Sequence, residues 1–157
     1  MLSLVEFGAS LAGVPGRAFD LRSAAALGLA AILVLTGCSP LPVRTVTLGG
    51  ETWRVYEGGS DGMRGLPGFG EVDGMLFDMG EEVDPSAVPF VMDGVRFPID
   101  IAWFDATGAL VSTATMSTCE VGSCPLYRAG GRYRWAIEAP VGAFADVRPE
   151  DRLLVED

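Results

Sequence analysis

Short apolar runs, each cut off within about eight residues by a Gly, Asp or Pro turn, are the feature that most restricts the fold of this chain. Thr45-Val-Thr-Leu48 and Thr52-Trp-Arg-Val-Tyr56 flank Gly49-Gly50, which predicts a hairpin. Residues 57–74 hold glycines at 58, 59, 62, 65, 68, 70 and 74, and read as loop. Gly74 to Phe77 reads as a short strand and Glu81 to Pro89 as an acidic, proline-bounded loop. Phe97 to Phe104 is a strong strand entered through Pro98. Asp105 to Gly108 turns the chain back into Ala109 to Met116. Arg132 to Ala139 alternates as a half-buried strand, Gly142 to Ala145 suggests one helical turn, and Arg152 to Glu156 closes the chain as a strand. The expected fold class is therefore mainly β: a compact single-domain β-sandwich or barrel-like fold with short helical turns, after an N-terminal signal helix.

The signal helix is expected because residues 23–43 carry no charge, and Ala24 to Leu35 is an unbroken apolar stretch behind Arg22. A bilayer span needs about 20 apolar residues, so the stretch fits a secretory h-region instead. It ends in Leu35-Thr36-Gly37-Cys38, which resembles the bacterial lipobox. That resemblance implies cleavage before Cys38 and acylation of its thiol, anchoring the protein to the membrane outside the cytoplasm. The expected organisation is a signal peptide over 1–37, a lipidated tether over 38–44 and a β domain over 45–157.

The 157 residues carry a net charge of −10, from 11 Lys+Arg against 21 Asp+Glu. Arg17 and Arg22 offset Glu6 and Asp20, so the whole excess lies in the exported part. All the basic residues are Arg, and His is absent. Without His there is no Ser-His or Cys-His pair and no His-ligated zinc. Without Lys there is no Schiff base and no P-loop lysine. The acidic balance, with no basic run, argues against nucleic acid as a partner.

Cys119 and Cys124 are expected to form a disulfide in an exported protein. The acidic residues Glu71, Asp73, Asp78, Glu81, Glu82 and Asp84 lack the spacing of a calcium loop and read as a solvated face, so no metal is assigned. Met63, Met75, Met79, Met92 and Met116 offer thioethers that suit Cu(I), but methionine is also the ordinary filler of cores. No cofactor is called for. Asp100 lies within "PIDIAWF", where Ile99, Ile101 and Trp103 share one face of a strand and Asp100, Ala102 and Phe104 the other. Such an Asp either caps backbone or pairs with an Arg, Arg64 or Arg128, in a shallow cleft.

The stretches "DGMRGLPGFGEVDGMLFDM" (61–79), "PFVMDGVRFPIDIAWFDATGALV" (89–111), "CPLY" (124–127) and "YRWAIEAPVGAFADVRPEDRLLV" (133–155) resemble the domain of unknown function 192 family across about residues 43–157. The resemblance implies a mostly β, often exported domain without an assigned activity. Arg64, Met75, Phe77, Met92, Pro98, Asp100 and Ile101 match the family motifs. Val91, Asp93, Gly94 and Val95 stand where the family motif has Trp, Lys, Asn and Thr. Among polar residues within the motifs, Arg64, Asp100, Tyr127 and Arg128 are the candidate ligand-binding set. The expected role is a non-catalytic binding or envelope-accessory module for a glycan or protein ligand, with no catalytic residue assigned. A carbohydrate- or peptidoglycan-acting enzyme would instead need converging carboxylates, one with a raised pKa. A structural or assembly factor would need an exposed apolar patch and no pocket.

Overall fold

The computed structural model describes residues 41–120 and 122–156. The predicted signal peptide and Cys38 lie outside the described residues. The strands are β1 (Val43–Leu48), β2 (Glu51–Glu57), β3 (Gly74–Val83), β4 (Phe90–Val91), β5 (Ile99–Phe104), β6 (Leu110–Met116), β7 (Leu126–Tyr127), β8 (Tyr133–Pro140) and β9 (Leu153–Val155). Seven of them form one mixed sheet in the order β6-β5-β8-β3-β2-β1-β9, while β4 and β7 pair separately. The fold is mainly β as expected, with no helix among the described residues. The suggested helical turn after Pro140 is a run of reverse turns, with Ala143, Ala145 and Val147 each donating to the carbonyl three residues back.

Local chemistry accounts for the registers. Leu48 pairs with Glu51, leaving Gly49 (φ 60°) and Gly50 (φ 86°) as the two left-handed residues that a tight hairpin turn requires. β2 pairs with β3 in parallel, which is why the long glycine-rich connection is needed between them. β3 does not stop at Phe77: it runs to Val83, so Glu81 to Val83 belong to a strand and not to the expected acidic loop. Gly80, at φ 76°, and the acceptance of its N–H by Asp78 Oδ1 produce a bulge, after which Val83 pairs with Tyr133.

The sheet is buried on both faces. Ile99, Ile101 and Trp103 enter one core with Met63, Met75, Met92 and Met116, so four of the five methionines are core residues. Ala102 and Phe104 enter the other core with Val46, Val55, Ile137 and Leu153. Each fully buried aliphatic side chain contributes about 1.5–3 kcal/mol. The second core takes residues from β1, β2, β3, β5, β8 and β9, and the sheet curls around it. An isolated bridge between Ala109 and Arg152 joins the approaches to the two edge strands, and Leu153 N–H donates to Gly108 O at 2.9 Å. The first core is covered by the 58–72 segment and by the β4–β7 pair.

Cys119 and Cys124 are joined in a disulfide. Its loop is short, so the bridge removes little entropy from the unfolded chain. Replacing both cysteines by Ser is expected to cost about 2 kcal/mol or less, read as a modest shift in the urea midpoint.

Candidate functional site

Trp135 to Ala139 is apolar except for Glu138, and β8 lies between β5 and β3. Glu138 stands opposite Ile101 on one neighbour and Met75 on the other, so its side chain projects towards the first core. It is 5% exposed and is the one buried charged side chain among the described residues. Its Oε2 has no hydrogen-bond partner. Desolvation raises its pKa from 4.5 to about 7, because burial penalises the ionised form.

Above Glu138 is a cavity of about 360 Å³. One wall is the segment 58–64, which leaves the end of β2 and folds over the sheet. Gly58 N–H donates to Leu76 O at 2.7 Å, and a Cβ at Gly58 would lie 2.7 Å from the Phe77 ring. Only glycine permits that approach. A Cβ at Gly62 would lie 3.9 Å from Glu138 Oε2, so this segment passes directly across the carboxyl. Two successive turns shape it: Gly62 N–H donates to Gly59 O and Arg64 N–H to Asp61 O, each at 3.0 Å. The opposite wall is apolar, with Phe90 edge-on to Phe77 at 5.2 Å and Val88 and Val95 beside them.

Two ion pairs stand at the edge of the cavity. Arg64 Nη2 lies 2.9 Å from Asp93 Oδ2, and Arg134 Nε lies 3.5 Å from Asp78 Oδ1. Both are partly exposed, so each contributes at most about 1 kcal/mol. The cavity is also lined by Asp61, which has no cationic partner among the described residues.

Of the four residues singled out from the sequence, only Arg64 lines this cavity. Asp100 faces the other way along β5, as its alternation with Ile99 and Ile101 dictates. Its carboxylate accepts from Thr115 Oγ1 at 2.6 Å and from Gly142 N–H at 2.7 Å, fastening β6 and the turn after β8. Tyr127 Oη accepts from Ser117 N–H at 3.0 Å. Arg128 donates to the carbonyls of Pro85 and Ser86 at 3.3 and 3.0 Å. The expected common cleft of Arg64, Asp100, Tyr127 and Arg128 is therefore not formed. Asp100 belongs to the opposite face of the sheet, while Tyr127 and Arg128 brace loops.

The family model described as "Uncharacterized ACR" (DUF192) matches residues 55–155, which include both walls of the cavity and Glu138. The chain belongs to the DUF192 family. Within the DUF192 domain, Asp93 pairs with Arg64. The domain is similar to a solved protein of unknown function from Novosphingobium aromaticivorans, with TM-score 0.61 and 19% identity over 75% of this chain and 89% of that one. It is also similar to a putative transcription regulator from Sinorhizobium meliloti, with TM-score 0.59 and 19% identity over 74% and 96%. At that identity the likeness shows the fold alone. No curated protein matches the chain.

Proposed function

We propose that this DUF192 protein is an exported lipoprotein, anchored to the bacterial cell membrane by lipid on Cys38, whose β domain is a non-catalytic binding module with its site over Glu138. The observation that carries the binding reading is the unpartnered Glu138 carboxyl on the floor of a cavity of about 360 Å³. A buried carboxyl without a partner destabilises the fold that holds it. Here Glu138 lines a cavity whose volume lies within the range of small-molecule sites. The anchor rests on the apolar stretch ending in Leu35-Thr36-Gly37-Cys38.

The test is expression of the full chain in a lipoprotein-processing bacterium, followed by mass spectrometry of the membrane fraction. Acylated Cys38 is the expected terminus; an intact bond between residues 37 and 38 removes the anchor. Native mass spectrometry after exposure to envelope extract should show a bound small molecule. A Ser60→Trp variant, with an indole at the exposed rim of the cavity, should lose it. Equal retention by the two proteins, or no adduct on either, sinks the binding reading.

One observation favours a second reading as a carbohydrate- or peptidoglycan-acting enzyme. A carboxyl with pKa about 7 stays protonated often enough to act as general acid, and Asp61 lines the same cavity. Glycan cleavage by the wild type that vanishes in Glu138→Gln would replace binding with catalysis. The binding reading comes first because two of the four carboxylates, Asp78 and Asp93, are tied up with Arg134 and Arg64. A spacer or assembly role, which calls for an apolar face and no cavity, accounts for neither feature.

A further inference from the structure

The lining of the cavity carries an unequal set of charges. Its ionisable side chains are Asp61, Asp78, Asp93, Glu138 and Arg64. Arg64 is turned onto Asp93 at 2.9 Å, and Asp78 is met from outside the lining by Arg134 at 3.5 Å. Asp61 and Glu138 are left without a cation among the described residues. They differ in kind. Asp61 is exposed at the rim, whereas Glu138 is 5% exposed on the floor with an unpartnered Oε2. An anion entering the cavity would meet both in a partly desolvated space, where like charges repel more strongly than in water.

The remaining surface favours an apolar body. Phe77 and Phe90 meet edge to face at 5.2 Å, and Val88 and Val95 extend that wall. Aromatic rings attract cations as well as hydrocarbon. We infer that the cavity takes a small organic cation: a primary ammonium on a short apolar body, with Asp61 and Glu138 as the counter-charges and the Phe77–Phe90 wall against the hydrocarbon. This rests on the binding reading above and adds the chemical class of the ligand. The ammonium would supply the hydrogen-bond donor that the Glu138 carboxyl lacks, and an ammonium-to-carboxylate bond is among the stronger kinds.

The experiment is saturation-transfer NMR on the full chain in detergent, titrated with three probes of one length: n-pentylammonium chloride, n-pentanol and sodium pentanoate. Pentylammonium is expected to bind at least tenfold more tightly than pentanol, and pentanoate not to bind. Glu138→Gln and Asp61→Asn should each weaken pentylammonium at least fivefold while leaving pentanol unchanged. Ser60→Trp should abolish the signal of both. Equal affinity for amine and alcohol, preference for pentanoate, or indifference to both substitutions overturns the cation class while the binding site stands. No signal from any of the three overturns the cation class and the binding site together.

Discussion

From pH 5 to pH 8 the wild-type domain should lose about 2 kcal/mol more stability than a Glu138→Gln variant. The sign follows from the direction of the shift. The Glu138 pKa is raised from 4.5 to about 7 by desolvation. Below pH 4.5 the carboxyl is protonated in both states and no penalty exists. Between 4.5 and 7 the unfolded chain ionises while the folded one keeps its proton, so each rise in pH favours unfolding. Above 7 the loss is complete, at about 3 kcal/mol for a gap of this size, of which the pH 5 to 8 interval samples most. Glutamine has no charge to lose, and any cost of burying its amide is the same at both pH values. Urea unfolding of both proteins at pH 5 and pH 8 measures the difference. Parallel behaviour of the two would mean that the Glu138 carboxyl is solvated in the folded protein. Asp105 does not confuse the comparison. Burial alone would raise its pKa, but hydrogen bonds from Thr107 and Ala109 outweigh it and hold the carboxylate below its usual range, beneath this window.

The second large effect is at the closure of the curled sheet. Gly108→Ala should cost about 3 kcal/mol or more, because Gly108 is at φ 76° and an added Cβ would lie 2.1 Å from Leu153 O. The three nearest atoms, Leu153 O, C and N, are all backbone, so no side chain can swing aside. The turn must shift, and with it the Leu153 N–H bond to Gly108 O and the Ala109–Arg152 bridge. Gly80 is the control. It has the same φ of 76° but nothing within 4 Å of an added Cβ, so Gly80→Ala should cost only the 1–2 kcal/mol of left-handed strain. Urea midpoints of the two variants separate backbone strain from loss of closure. Equal destabilisation would show that the junction between β6 and β9 contributes nothing.

Much of this fold was legible because its signals are local. Gly49-Gly50 between two alternating runs specifies the β1–β2 hairpin without reference to the rest of the chain. The alternation of Ile99, Ile101 and Trp103 assigns β5 its faces, and the structure sends those three to one core and Ala102 and Phe104 to the other. Cys119 and Cys124 lie close enough in sequence to be read as a pair, and the structure joins them. Other features depend on partners far along the chain. Glu81 and Glu82 look like loop residues, yet they extend β3 because the Gly80 bulge returns the strand to Tyr133 of β8. β4 and β7 have two residues each, too few for any periodicity.

The site shows the same division. Arg64 was accessible through its motif. Glu138 was not, because alternation along Arg132 to Ala139 places it on the face expected to meet solvent. That face is covered by the 58–64 segment, which only the folded chain brings over Glu138 and its neighbours Met75 and Ile101. The available signal was the single carboxylate within the apolar run Trp135 to Ala139, which marks a strand covered on both sides.

The floor of the cavity is a strand hydrogen-bonded to neighbours on both sides, while its glycine-rich wall is held by its own turns, by Gly58 N–H on Leu76 O, by the Arg64–Asp93 pair and by Met63 in the first core. The two parts therefore open on different scales. Freeing the backbone around Glu138 requires breaking ladders with β5 and β3, an event close to global unfolding, whereas the 58–64 segment can lift without disturbing any rung between β8 and its neighbours. Substitutions at exposed wall positions such as Ser60 and Asp61 therefore act on local opening, whereas substitutions on the β8 floor act on the whole domain. Met63 links the two, because it lies in the wall segment and packs in the first core.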